Sequence, residues 1–265
     1  MIKKKKQIRG VILDWAGTTV DYGCFAPLNV FLSVFSKHGL DISIDEARAP
    51  MGLPKIDHIR EILKTKRVTD LFKKQNGRVF IEDDVAMFYS EFEPSLMEIL
   101  PNYSEPIKGV TTVVSLLRED GLKIGSTTGY TSEMMAIVAS EAKRKGYEPD
   151  SLVTPDDVKF GRPYPYMIFK NMEKLDIFPP ECVIKVGDTV SDIKEGRNAG
   201  VWSVGVLSGS SETGLSLSES CTIAKDKIAV RKNRAEARFR NAGADYVIDS
   251  IFELPELIDE INNRL

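Results

Sequence analysis

Gly10-Val11-Ile12-Leu13-Asp14-Trp15-Ala16-Gly17-Thr18-Thr19 opens with four residues that carry no polar side chain and then turns sharply polar and small. An unbroken apolar run of this length, without alternation, reads as a strand buried on both faces. Comparable runs recur at Leu122 to Gly125, Leu152 to Val153, Val183 to Val186 and Trp202 to Val206. Amphipathic stretches separate them: Val110 to Leu117, Glu133 to Lys145, Met167 to Leu175 and Asp192 to Asn198. Strands alternating with helices predict an α/β fold, a doubly wound parallel-sheet, Rossmann-like core.

The alternation stops between Tyr22 and Tyr103, where Leu28, Phe31, Val34 and Phe35 recur at helical spacing and Val85 to Leu100 offers a long apolar face. Ser43 with Glu46 has the spacing of a capping box. About 80 residues is too long for a structureless loop. The expectation is an inserted all-helical cap over residues 22–103, with the core formed by 1–21 and 104–265. Ser208 to Ser220 reads as a surface loop. Asp226 to Arg240 reads as a charged helix, Ala244 to Ile248 as a last strand and Glu253 to Ile261 as a closing helix. No internal repeat is visible.

The 265 residues are 42% hydrophobic and 28% charged, the balance of a globular protein with ample core material. A net charge of −3 argues against nucleic acid or anionic membranes as partners. The basic run Lys3 to Lys6 reads as a solvated tail. No apolar stretch approaches the roughly 20 residues of a membrane helix. Cys24, Cys182 and Cys221 lack the spacing of a zinc site or a disulfide framework, so a reducing cytoplasm is expected.

Three strand ends gather chemistry. In open α/β sheets ligands bind beyond the carboxyl ends of the strands, where Asp14 is delivered, although an aspartate there can also be a turn residue. Ser126 to Thr131 combines small hydroxyl residues with Gly129, suited to a phosphoryl group or to a helix cap. Gly187-Asp188-Thr189-Val190-Ser191-Asp192 brings two acids to a third strand end. With Asp14 opposite, these acids make a hard-oxygen site suited to magnesium, while Asp192 alone could be a helix start.

These segments resemble the ordered motifs of the haloacid dehalogenase superfamily, and within it the phosphonatase family. The likeness rests on Asp14-Trp15-Ala16-Gly17-Thr18, Met51-Gly52-Leu53-Pro54-Lys55-Ile56-Asp57-His58, Gly125 to Tyr130, Gly161-Arg162-Pro163-Tyr164-Pro165 and Gly187 to Asp192. It runs from the first strand to at least Gly209. The resemblance implies hydrolysis of phosphonoacetaldehyde to acetaldehyde and phosphate, in the breakdown of 2-aminoethylphosphonate. It implies that Asp14 becomes a transient aspartyl phosphate and that magnesium is held by Asp14, the Ala16 carbonyl and Asp188. Thr128 and Gly129 would bind phosphoryl oxygens, Arg162 would neutralise them, and Asp192 would orient metal-bound water. Cys24 and Tyr130 match the family around the site. A homodimer through the cap helices is also implied, for which the face of Leu28 to Phe35 offers a contact surface.

Ala16 departs from the wider superfamily, whose phosphate-ester hydrolases usually carry a second aspartate two residues after the nucleophile to protonate a leaving oxygen. Breaking a C–P bond instead requires an electron sink for the departing carbon, which a lysine imine with the aldehyde supplies. Most of the 36 Lys and Arg residues must be solvated surface, and only the resemblance singles out Lys55 as the Schiff-base residue. An amine with a pKa near 10.4 is almost wholly protonated at pH 7, and lowering that pKa by about 3 corresponds to roughly 4 kcal/mol. Met51 and His58 are candidate helpers, His58 lying one turn from Lys55 as a proton shuttle or as a plain surface histidine. The alternatives are a sugar-phosphate phosphatase or mutase, and a silent phosphate-binding protein.

Overall fold

A computed structural model describes residues 7–265; the Lys3 to Lys6 run lies outside the described residues. Gly10–Leu13 forms strand β1 with all four residues buried. It is joined by β2 (Lys123–Thr127), β3 (Ser151–Val153), β4 (Val183–Gly187), β5 (Trp202–Val206) and β6 (Tyr246–Ile248). Every pairing is parallel, in the order β3-β2-β1-β4-β5-β6. The chain therefore runs outward from β1 in one direction and later from β4 in the other. This leaves a crevice at the carboxyl ends of these two central strands. Val11 and Leu13 enter one apolar cluster and Ile12 another, the period-2 alternation of a strand covered on both sides.

Among the described residues no strand interrupts the segment after β1, which holds α1 (Phe25–Lys37), α2 (Ile44–Arg48), α3 (Lys55–Lys64), α4 (Lys66–Asn76) and α5 (Glu82–Ile99). The Ser43–Glu46 capping box forms as its spacing requires. In α1, Leu28, Phe31, Val34 and Phe35 are all buried within the chain. Phe31 stacks on Phe92 at 4.2 Å and Phe35 on Phe88 at 4.6 Å between ring centres. This corrects the expectation of a contact surface there: α5 already covers the apolar stripe, so the face is not free for a second copy.

The sheet is flanked by α6 (Val110–Glu119), α7 (Ser132–Arg144), α8 (Tyr166–Lys174) and α9 (Val190–Ala199). Beyond β5 come α10 (Leu217–Thr222), α11 (Lys225–Ala242) and, after β6, α12 (Leu254–Arg264). The stretch expected to be loop thus contains the start of α10, whose Ser216 and Glu219 form a capping box. Its signature is present in the sequence but is masked by the surrounding serines and glycines. β6 starts two residues later than expected because Gly243, at φ 97°, and the bond from Ala244 N to Phe239 O still belong to the end of α11. No helix among the described residues is long and apolar enough to cross a membrane.

Candidate active site

β1 delivers Asp14 into the crevice, where its backbone N donates to Val186 O at 3.0 Å. Asp188 follows β4 and is wholly buried; its carboxylate accepts from Ser211 N at 2.7 Å and from Thr18 Oγ1 at 3.4 Å. Gly17 bends between them at φ 91°, and a β-carbon there would stand 2.2 Å from Asp188 Oδ2. Only glycine fits that position. Carboxylate oxygens of Asp14, Asp188 and Asp192 lie within 4.8 Å of one another.

Burial raises the pKa of Asp14, with the charge of Asp192 adding to it. Burial also raises that of Asp188 well above the usual carboxylate range, assisted by Asp14 and Asp192. Asp192 differs: burial is outweighed by Arg162 and Lys185, which hold it low. Two buried carboxylates that resist ionisation side by side form a donor set that fits a divalent cation, whose charge would relieve both. Asp14 and Asp188 could hold such an ion, and Ala16 lines the same space. Asp192 is already engaged by Arg162 Nη1 at 3.0 Å, Lys185 Nζ at 2.8 Å and Thr189 Oγ1 at 2.6 Å.

Arg162 is buried and reaches Asp14 Oδ1 with Nη2 at 2.7 Å. Thr128 and Gly129 form the turn after β2, where Tyr130 N donates to Thr128 Oγ1 at 3.1 Å. A β-carbon on Gly129 would stand 2.6 Å from Leu53 O, so the helical segment and the core meet backbone to backbone here. Ser191 Oγ donates to Met51 O at 3.1 Å on the same seam. Arg48 of α2 adds bonds from Nη1 to Gly23 O at 2.9 Å and to Ser211 O and Oγ, both at 3.1 Å.

Lys55 is the first residue of α3 and is 5% exposed, an unusual burial for lysine. Burial lowers its pKa. Its position at a helix N-terminus disfavours the cation further. Its Nζ lies 4.9 Å from the centre of the Tyr130 ring. Asp14, Ala16, Met51, Lys55, Thr128, Gly129, Arg162 and Asp188 all line one cavity, together with Cys24 and Tyr130.

His58 and Asp192 do not line that cavity. His58 is fully buried behind Lys55, its Nε2 2.8 Å from Ala47 O and its ring 4.0 Å from that of Phe31. Burial, then the nearby Lys55 charge, push its pKa well below the usual histidine value, so the ring is neutral. Sequence reasoning held Thr127 within the Ser126 to Thr131 turn but missed Lys185, Glu195 and Ser211. A lysine inside the apolar run Val183-Ile184-Lys185-Val186 was the one available signal.

The profile of the haloacid dehalogenase-like hydrolases matches residues 8–200, and a HAD-hydrolase-like profile matches 159–254. The chain belongs to the haloacid dehalogenase-like hydrolases and is an enzyme of that class. It is 53% identical to the phosphonoacetaldehyde hydrolase of Bacillus cereus over 262 residues, covering 97% of this chain and 98% of that protein. It is 50% identical to a bifunctional phosphonoacetaldehyde hydrolase/aminoethylphosphonate transaminase of Clostridioides difficile, covering 98% of this chain but 41% of that longer protein. A crystal structure of a phosphonoacetaldehyde hydrolase-like protein from Oleispira antarctica superposes with a TM-score of 0.95 at 37% identity, covering 100% of this chain and 97% of that one. Within the class, the chain belongs to the phosphonoacetaldehyde hydrolase family.

Proposed function

We propose that this protein hydrolyses phosphonoacetaldehyde to acetaldehyde and phosphate. The observation that carries the reading is a buried lysine with a lowered pKa sharing one cavity with the Asp14 carboxylate. The neutral Lys55 amine adds to the aldehyde carbon, water leaves, and the resulting imine takes up a proton from solvent. Asp14 attacks phosphorus, and the electrons of the broken C–P bond pass into the imine to form an enamine on Lys55. Protonation and hydrolysis release acetaldehyde, and water cleaves the aspartyl phosphate. Arg162, already on Asp14, carries the charge of the phosphoryl oxygens, and Thr128 and Gly129 border them. No carboxyl stands at residue 16 because the leaving carbon needs an electron sink rather than an acid.

Asp14, the Ala16 carbonyl and Asp188 are proposed to hold magnesium. A bound magnesium ion supplies positive charge for the phosphonate oxygens. Asp192 is proposed to orient water at the edge of this site. Met51 lines the same cavity as Lys55, and His58, neutral behind it, adds no charge to the lysine environment.

The cavity holds about 20 Å³, room for about one water. Substrate access therefore requires an opening, and we propose residues 22–103 as a cap that separates from a core of 1–21 and 104–265. Three free cysteines support a cytoplasmic setting. The second activity named for the Clostridioides difficile relative supports a role in 2-aminoethylphosphonate breakdown. A homodimer remains part of the proposal, through a cap surface other than the α1 stripe, and sedimentation at micromolar concentration tests it. Borohydride reduction with phosphonoacetaldehyde, followed by peptide mass spectrometry, tests the central step: modification at Lys55 is expected, and its absence during active turnover would refute the mechanism.

A further inference from the structure

Behind the site lies a buried ion network in which Arg162 and Asp192 are joined by two residues, Lys185 and Glu195, that have no part in the reaction proposed above. Lys185 sits in the middle of β4 and is fully buried, its Nζ 2.8 Å from Asp192 Oδ1 and 3.7 Å from Glu195 Oε2. Glu195 of α9 is also fully buried; its Oε2 accepts from Arg162 Nε at 2.9 Å and from Thr127 Oγ1 at 3.1 Å. Arg162 completes the set, with Nη1 3.0 Å from Asp192 Oδ1 and Nη2 donating to Asp14 Oδ1 and Thr127 Oγ1, both at 2.7 Å. The fold makes room for this on purpose. A β-carbon on Gly196 would stand 2.8 Å from Ser203 Oγ and 3.2 Å from Lys185 Cβ, so α9 presses onto the sheet where the lysine emerges.

Stability gives little reason for a lysine there, since an apolar residue of similar volume usually holds a core at least as well as a buried ion pair. The network does have a geometric consequence. Nε and Nη2 are hydrogen-bonded to separate acceptors and Nη1 is ion-paired with Asp192, which together restrict the plane of Arg162. Lys185 and Arg162 match Asp192 and Glu195 in charge. Without the lysine, two carboxylates would compete for one guanidinium and draw it back from Asp14.

We infer that Lys185 and Glu195 are positioning residues that hold the Arg162 guanidinium toward Asp14 and the phosphoryl group. The inference rests on the proposed placement of the phosphoryl group at Arg162. Lys185→Met, Glu195→Gln and the double variant test it, read by kcat and KM for phosphonoacetaldehyde, borohydride trapping of Lys55, and calorimetric binding of inorganic phosphate to the magnesium-loaded enzyme. Lys185→Met should lose about 10- to 100-fold in kcat, as for other outer partners of a charged site. Its phosphate affinity should fall in parallel, while Lys55 is trapped to the wild-type extent, because imine formation does not use Arg162. The double variant, with Asp192 the one carboxylate left to compete with Asp14 for the guanidinium, should recover much of the loss.

Turnover and phosphate binding within twofold of wild type in Lys185→Met would overturn the inference. So would trapping that falls in step with turnover, which marks general collapse, or a double variant no better than the single one. Should Lys185→Met fail to fold, Glu195→Gln decides: lowered phosphate affinity with intact trapping supports the inference, and unchanged affinity defeats it. A wild-type enzyme that binds phosphate through this network but does not cleave phosphonoacetaldehyde would remove the proposed function alone. Failure of the wild type to bind phosphate would remove the inference.

Discussion

The amine of Lys55 lies 4.9 Å from the centre of the Tyr130 ring, and this contact joins the start of α3 to the turn that follows β2. A buried amine carried by the helices after β1 is thereby held over groups carried by the sheet. Lys55→Arg keeps the charge but cannot form an imine, since guanidinium stays protonated. It should be as inactive as Lys55→Ala, with turnover lowered by at least about 1000-fold if the imine is the electron sink. Near wild-type turnover in Lys55→Arg would remove the imine from the mechanism.

The same burial has a thermodynamic sign. A lysine whose pKa is lowered by folding destabilises the fold at neutral pH, and the penalty fades as pH rises from the folded pKa toward the unfolded value of 10.5. Lys55→Met should therefore melt higher than wild type at pH 7 while losing all activity. The gap should narrow at alkaline pH. Denaturation at pH 7 and pH 10 checks both statements.

At Gly129 the limit is space, because a β-carbon would meet Leu53 O at 2.6 Å and Gly52 O at 3.1 Å, both unyielding backbone atoms. Gly129→Ala should push the segment carrying Lys55 off the core, costing about 1–3 kcal/mol of closure and roughly 10- to 100-fold in kcat/KM. Circular dichroism should stay native. Unchanged kinetics in this variant would show that the seam seen here is not the working arrangement.

Asp188 offers a readout without turnover. Its carboxyl is pushed well up by burial and by Asp14 and Asp192, so ionising it costs stability as pH rises until a cation neutralises the cluster. Magnesium should raise the melting temperature of wild type and leave Asp188→Asn nearly unchanged. Chelation should abolish phosphate release. A metal-independent enzyme, or equal stabilisation of both proteins, would defeat the proposed site.

Asp21 accepts hydrogen bonds from Phe25 N at 2.9 Å and Ala26 N at 3.0 Å, yet burial lifts its pKa from 3.8 to about 6. The protonated form is favoured by folding, so its contribution is complete below about pH 4 and is lost as pH rises through 6. Relative to Asp21→Asn, wild type should lose roughly 2 kcal/mol between pH 4 and pH 7. Parallel stability curves for the two proteins across that range would contradict the assignment.

The short apolar runs, the helical spacing of residues 22–103 and the small-residue turns at three strand ends were all legible in the sequence. Periodicity and turn chemistry are written in neighbouring residues, so they need no knowledge of distant contacts. The family motifs added Lys55 and Arg162, which composition alone could not separate from the other basic residues. Tertiary structure alone decided that Lys55 is buried and its pKa lowered, that His58 lies behind the cavity rather than in it, and that the stripe of α1 is spent on α5. It also brought Arg162 to an aspartate 148 residues away and placed Lys185 against Asp192. Burial, charge pairing and pKa depend on which remote groups fill the space around a side chain, and local sequence does not carry that information.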